Sequence, residues 1–404
     1  MAGAEVVLGL IILSIAVAIT NISDILTDIL AIAVARISAV ELGLFNSLGY
    51  LAYIVSMYIG SNLSDRGIIK VQLIAVLALL TMYNILIYFF ISTASVLILA
   101  LTYLLYGSAQ ATIRTATYAY VHESYTSSAW KSVLLQRSLM TILCEAFMLI
   151  SISAIGVERV ISNIFYFSAM SLPVAGFTAL LVREPVVKFE RALYRIDLGV
   201  RRIEDIVNNI SVYTLLSSSP NAPSIYKASL RSKLARKATS LSAVIFALIG
   251  FKVANSMTLT PVPIYFNNML GLSLSAVLGI YGVARFVPLV SLLPIKGSSK
   301  FLPFLFVARA LVPFLLLAPG INGLFVGILL GFMYYLNNEI DVSLYSLYME
   351  CRGRAETTIY LLFGETAGLL GTALSGSIYY SLGYNSIIAI ALLMYIVGAV
   401  LTKE

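Results

Sequence analysis

Gly60-Ser61-Asn62-Leu63-Ser64-Asp65-Arg66-Gly67-Ile68-Ile69-Lys70 is a short polar stretch set between two long apolar runs. Its centre, Ser-Asp-Arg-Gly, is turn-forming and carries both charge signs. The flanking runs, 42–59 and 71–91, are each long enough to cross a bilayer. The stretch therefore reads as a tight loop at one membrane face, and Arg66 and Lys70 point to the cytoplasmic face.

The rest of the chain agrees. Hydrophobic residues make up 60% of its 404 residues and charged residues only 11%, with a mean hydropathy of +0.96. A soluble domain carries about 25% charge. The pattern predicts an all-α membrane protein with twelve spans, at about 6–33, 42–61, 71–91, 96–121, 132–154, 160–182, 240–264, 270–293, 301–318, 321–348, 356–380 and 384–402. The first apolar run is too long for a cleavable leader and is read as a retained helix. With both termini inside, the cytoplasmic segments hold Arg66, Lys70, Lys131, eleven basic residues between Arg183 and Lys237, Lys296, Lys300, Arg352, Arg354 and Lys403. The outer segments hold only Arg36 and Arg159. That asymmetry sets the orientation in a cytoplasmic membrane. It also accounts for the net charge of +7 without nucleic acid. Cys144 and Cys351 fall in a span and a loop and are not expected to pair.

The basic segment divides the chain into 1–183, a linker at 184–238 and 239–404. Within it Phe189, Leu193, Ile196, Val200, Ile203, Val207 and Ile210 recur at spacings of four and three. That is one amphipathic helix, too charged to span and expected at the inner leaflet or beneath the bundle. A faint repeat relates the halves: Tyr118 to Ser124 closes span 4 and Tyr345 to Cys351 closes span 10, with Tyr and Glu at matching offsets.

The Gly60–Lys70 loop resembles the signature between helices 2 and 3 of the major facilitator superfamily. Gly60, Leu63, Asp65, Arg66, Gly67 and Lys70 match the pattern, while Ile68 and Ile69 stand where basic residues are usual. The resemblance implies two six-helix bundles related by a pseudo-twofold axis, and secondary transport by alternating access about a mid-membrane site. It further implies that Asp65 meets the start of span 11, near Glu356 and Thr357, where a helix N-terminus favours a carboxylate, and that Arg66 adds a salt bridge. Asp65→Asn is then expected to keep expression but cut transport. Uptake into proteoliposomes at the unaltered rate would count against that role.

Charges inside the spans are the candidate site, because each is costly in lipid and must pair or line a wet cavity. In span 1, Ser14, Ala18, Asn21, Asp24 and Asp28 share a face. Asp24 falls ~27 Å along the helix at 1.5 Å per residue. Two carboxylates one turn apart repel, which suits proton exchange; for Asp28 a place at the outer water interface stands equally open. Span 4 offers Tyr103, Tyr106, Gln110, Arg114 and Thr117 as a polar stripe. A hydrogen-bonded seam between helices would also account for it. Arg114 corresponds by the repeat to Asp341, as a clamp on a solute or a salt bridge between halves.

Glu145, with Arg137 and Thr141, sits mid-span 5 and Glu365 sits mid-span 11 beside a small-residue face. Glu365 is either a coupling carboxylate or the partner of Arg285 or Lys252. Span 7 carries Lys252 and Asn255 before Pro261 and Pro263, and span 10 carries Asn337, Asn338, Glu339 and Asp341. The resemblance makes span 9 a peripheral support, where a central Arg309 is unexpected, and the expectation for it is a partner on span 8 or 10.

No Walker glycine loop, no HExxH and no Gly-x-Ser-x-Gly turn is present. Neither a cofactor nor a metal site is expected, nor an enzyme. The expected partners are a small polar or zwitterionic organic solute, protons and membrane lipid, with the protein a monomer. The alternative is a transporter-like sensor or scaffold that moves nothing and binds a cytoplasmic partner through 189–210.

Overall fold

The computed structural model describes residues 2–65, 68–125, 130–162, 171–181, 224–292, 301–317, 322–352 and 357–403. The regular elements among them are all helical. In the first half they are α1 Ala2–Val34, α2 Ala39–Asp65, α3 Ile69–Thr93, α4 Val96–Ser124, α5 Trp130–Ile155, α6 Val157–Ser162 and α7 Ser171–Leu181. In the second they are α8 Ser224–Leu259, α9 Val262–Asn268, α10 Leu274–Phe286 with a 3₁₀ turn Val287–Leu292, α11 Leu302–Leu315, α12 Gly323–Arg352 and α13 Thr357–Leu401.

The breaks have local causes. Ala94 takes a left-handed conformation and its N–H returns to Phe90 O at 2.7 Å, ending α3. Pro261 and Pro263 separate α8 from α9 at the outer end of span 7. Ser273 caps α10, accepting from Ala276 N–H at 3.2 Å. Among the described residues, eight segments are long and apolar enough to span a membrane. One of them, Tyr360–Leu401, holds 42 residues. Straight, it would run ~63 Å, about twice the hydrocarbon thickness. It turns at Gly383, whose φ of 78° suits only glycine. Spans 11 and 12 are thus two helices that meet in a tight turn at Gly383.

α8 starts at Ser224, inside the segment read as linker, because no proline interrupts 224–259. The 189–210 stripe and the Ser217–Pro223 tail lie outside the described residues.

The packing repeats itself. α2 and α3 pack on α4, α1 on α4 and α5, and α3 and α1 on α7. In the second half α10 and α11 pack on α12, and α8 on α12 and α13. Between halves, α2 lies on α13 and α5 on α10. Adding six to span 2 gives span 8, and adding six to span 5 gives span 11. The two cross-half contacts therefore exchange under a half-turn, as two related bundles require.

The apolar cores show how the halves meet. One cluster joins both, running from Ile22–Phe45, Tyr83–Tyr106 and Leu149–Val157 to Val253–Ala284, Val312–Leu336 and Ala367–Ile388. All of these lie toward the end away from the 60–70 loop. Toward the loop end the cores are separate. Leu13, Val17, Leu73, Ile113 and Tyr120 belong to the first half, and Val244, Phe251, Phe306, Leu344 and Tyr395 to the second. Among the described residues the halves share one core at one end and keep separate cores at the other. The molecule's rim is apolar, with Leu51, Phe89, Leu97, Phe177, Phe304 and Leu393 exposed. Such a surface belongs in lipid: this is a multi-pass membrane protein.

Candidate functional site

Where the halves part, the first contributes a polar network built from spans 1, 4 and 5. Asn21 is its hub. Its amide donates to Glu145 Oε1 at 2.5 Å. Its oxygen accepts from Gln110 Nε2 at 2.9 Å and Arg114 Nη2 at 3.2 Å. Tyr106 donates to Gln110 Oε1 at 3.2 Å and also faces Asp24. Since arginine only donates, the Asn21 oxygen must point toward Arg114. Arg114 also lies 5.8 Å from the Tyr53 ring centre. One turn beyond Asp24, Asp28 accepts from Tyr103 OH at 2.5 Å and Asn46 Nδ2 at 2.9 Å. Asp28 is thus held inside the bundle, and the alternative of a simple interfacial carboxylate does not describe it.

The second half closes the ring. Arg285 on α10 lies 3.0 Å from Glu145 Oε2, across the boundary between halves. Its Nε–H is not aimed along a hydrogen bond to that oxygen, so the pair is an ion contact. The guanidinium also sits 4.8 Å from the Tyr334 ring centre. Lys252 pairs with Asp341 at 3.0 Å, and Tyr360 donates to the same carboxylate at 3.0 Å. Glu365 lies within electrostatic reach of Lys252 and Arg114. Span 2 approaches here, with a ring carbon of Tyr50 3.1 Å from where a Cβ on Gly368 would stand.

Five carboxylates (Asp24, Asp28, Glu145, Asp341, Glu365) thus share the region with three cations (Arg114, Lys252, Arg285).

Two sequence expectations resolve differently from their alternatives. Arg114 and Asp341 do not pair: Lys252, one turn from Asn255 on α8, is nearer to Asp341 and takes it. Arg285 pairs with Glu145, not Glu365. Asn255 and Asn337 come together, but their oxygens serve Arg309. Nε of Arg309 donates to Asn337 Oδ1 at 2.6 Å, and Nη2 donates to Asn255 Oδ1 at 3.0 Å. Tyr50, Tyr53, Asn46 and Tyr360 escaped the sequence reading. They are neutral, and tyrosines abound in this chain, so no charge marked them.

At the sequence level no family model matches the chain and no curated protein does. At the level of structure the likeness is extensive. The nucleoside transporter NupG superposes with a TM-score of 0.65 at 13% identity, over 98% of each chain. A POT family transporter in complex with a thioalcohol-conjugated peptide gives 0.65 at 16%, over 97% of this chain and 94% of that one. The xylose transporter XylE from E. coli, in a partially occluded inward-open conformation, gives 0.65 at 12%, over 98% and 97%. The chain has the major facilitator fold.

In that fold the Gly60–Lys70 stretch joins α2 to α3 at the end with separate cores. Gly60 is buried where a Cβ would press on Thr115 Oγ1 at 2.5 Å. Its carbonyl accepts from Gln72 Nε2 at 2.5 Å, and the same amide donates to Ser64 Oγ at 2.9 Å. Lys70 is exposed. Arg66, Gly67 and the Asp65 side chain lie outside the described residues, as does Glu356. On the major facilitator fold the network above occupies the space between the bundles, halfway along spans 1, 4, 5, 7, 8, 10 and 11.

Proposed function

We propose that the protein is a secondary transporter that moves a small polar organic solute across the cytoplasmic membrane by alternating access, coupled to protons. One observation carries this reading. Two bundles share one core at one end, keep separate cores at the other, and meet around buried charges drawn from both. Lipid does not tolerate ionised groups in such number, so they serve a wet path between the bundles. Carboxylates outnumber cations there, which leaves acids free to take a proton or a cationic group.

In this reading 1–183 and 239–404 rock about the site, with both termini cytoplasmic. The end with separate cores carries the Gly60–Lys70 loop, so the conformation is inward-open. The solved nucleoside, peptide and sugar transporters support the activity class and leave the solute open.

The test is uptake from mixed polar metabolites into proteoliposomes, with and without an imposed pH gradient. A solute should enter faster than into protein-free vesicles and accumulate when the gradient is present. Flux that follows only the solute gradient makes the protein a uniporter. No uptake of any solute removes the proposal.

A further inference from the structure

Arg309 is the feature that the proposed cycle leaves unused. It is 0% exposed at the middle of α11. Among the described residues it has no ion-pair partner. It donates to Asn337, Asn255 and, at 3.2 Å, Thr258 Oγ1. Its guanidinium lies 5.1 Å from the Tyr395 ring centre. Nη1 is buried without a hydrogen-bond partner. A buried cation satisfied only by neutral groups keeps its full charge uncompensated.

Its effect on the two asparagines is specific. A guanidinium has no acceptor, so both amide oxygens are turned toward it. Asn337 Nδ2 also donates to Asn255 Oδ1 at 2.6 Å. The Asn255 oxygen thus accepts two bonds and the Asn337 oxygen one, and three amide N–H groups remain unused by these bonds: two on Asn255 and one on Asn337. The residues are half-buried. They stand on the stripes of α8 and α12 that also carry Lys252 and Asp341, with Tyr334 one turn further along α12. Tyr334 lies within electrostatic reach of Arg285, Asp24, Glu145 and Arg309 together. It stands between an acid-rich first half and a donor-rich wall backed by an unneutralised cation.

We infer that Arg309 is a positioning residue that presents the Asn255 and Asn337 amides to the carboxylate of a zwitterionic solute, whose ammonium lies toward Asp24. The inference rests on the transport reading and adds the solute class. A carboxylate on these N–H groups supplies the counter-charge that Arg309 lacks. A neutral sugar or nucleoside leaves it uncompensated, and a simple cation is repelled.

The test uses the full chain in detergent, by thermal shift, then in proteoliposomes. The probes are L-amino acids and dipeptides, their C-terminal amides and their N-acetyl forms, with xylose, uridine and choline as the uncharged and cationic comparisons. The best zwitterion is expected to bind at least about tenfold more tightly than its amide, since the site is built around the acceptor that the amide weakens. Arg309→Gln should shrink that ratio to about twofold or less, a change that loss of packing alone does not produce. Asn337→Asp gives Arg309 a carboxylate of its own. That variant should melt at a higher temperature than the parent and lose zwitterion binding, and it carries the test if Arg309→Gln does not fold. The inference is overturned if amide and acid bind alike, if Asn337→Asp still binds the zwitterion, or if xylose, uridine or choline proves to be the solute. In each of those cases the transport reading stands. If no probe of any class binds or enters, the transport reading falls and takes this one with it.

Discussion

Gly376→Leu is expected to abolish solute flux in a protein that still folds and inserts. A Cβ at Gly376 would fall on the Ala39 carbonyl oxygen and 2.7 Å from Val40 Cα. The contact is reciprocal, since a Cβ at Gly43 would stand 2.9 Å from Thr372 O and 3.2 Å from Gly376 N. These are backbone atoms of facing helices and cannot rotate aside. Close approach of α2 and α13 therefore depends on small residues, as packing between membrane helices commonly does. A leucine wedges the two apart at the closed end. Overpacking of this kind costs about 1–3 kcal/mol. With a two-state equilibrium poised near balance, about 3 kcal/mol moves the populations more than a hundredfold. The chain would stay in the alternative arrangement, open where it is closed here. Spin labels at Leu44 and Leu374, exposed on the same two helices, should report a longer distance than in the parent. Gly176→Ala is the control, for nothing lies within 4 Å of its Cβ position. Unchanged label distances together with unchanged uptake would refute the account.

Most of the scaffold was legible because lipid imposes simple rules. Apolar runs of membrane length located the helices, and the bias of Lys and Arg suggested their orientation. The break expected between 380 and 384 falls at Gly383, whose positive φ turns the chain between spans 11 and 12. The apolar pattern starts span 7 at about 240, and the span begins at Leu241; the helix runs back to Ser224 through basic and polar turns that hydropathy does not count.

The site was legible as a set of residues but not as a set of partners. Buried charge flags Glu145, Arg285, Lys252 and Asp341 without saying which meets which. That depends on helix rotation and depth, and a shift of one residue turns a side chain by about 100°. The repeat offset suggested Arg114 for Asp341, yet Lys252 is in the same half and closer. Arg309 was opaque for a related reason. Its partners, Asn255 and Asn337, are polar but neutral and lie on two other helices, so no local pattern around 309 points to them.

The charge pair that bridges the halves makes the second large prediction. Glu145→Ala is expected to lose about 3 kcal/mol of stability, the lower end of what removing one member of a buried ion pair costs. The lower end applies because Glu145 is 3% exposed and Arg285 23%, so water screens the cation in part. The loss is more than the pair. Asn21 also loses its acceptor, and Arg285 is left facing α5 with no acid at that contact. The double variant Glu145→Ala with Arg285→Met separates stability from function. Arg285→Met removes the stranded cation but not the unpaired Asn21 amide or the space left by the glutamate, so stability should recover in part. Transport should not return. In the proposed cycle the α5–α10 contact opens when the halves rock, and Arg285 then withdraws from Glu145. The carboxylate left behind must find another positive partner, a proton or the solute's own cationic group, before the halves close again. A methionine facing an alanine has no such requirement, so the movement is no longer tied to any ion. Melting curves of the three proteins and uptake into proteoliposomes under a pH gradient decide the matter. A single variant as stable as the parent would show that the pair bears no structural load. Gradient-driven uptake by the double variant would show that coupling runs through other carboxylates.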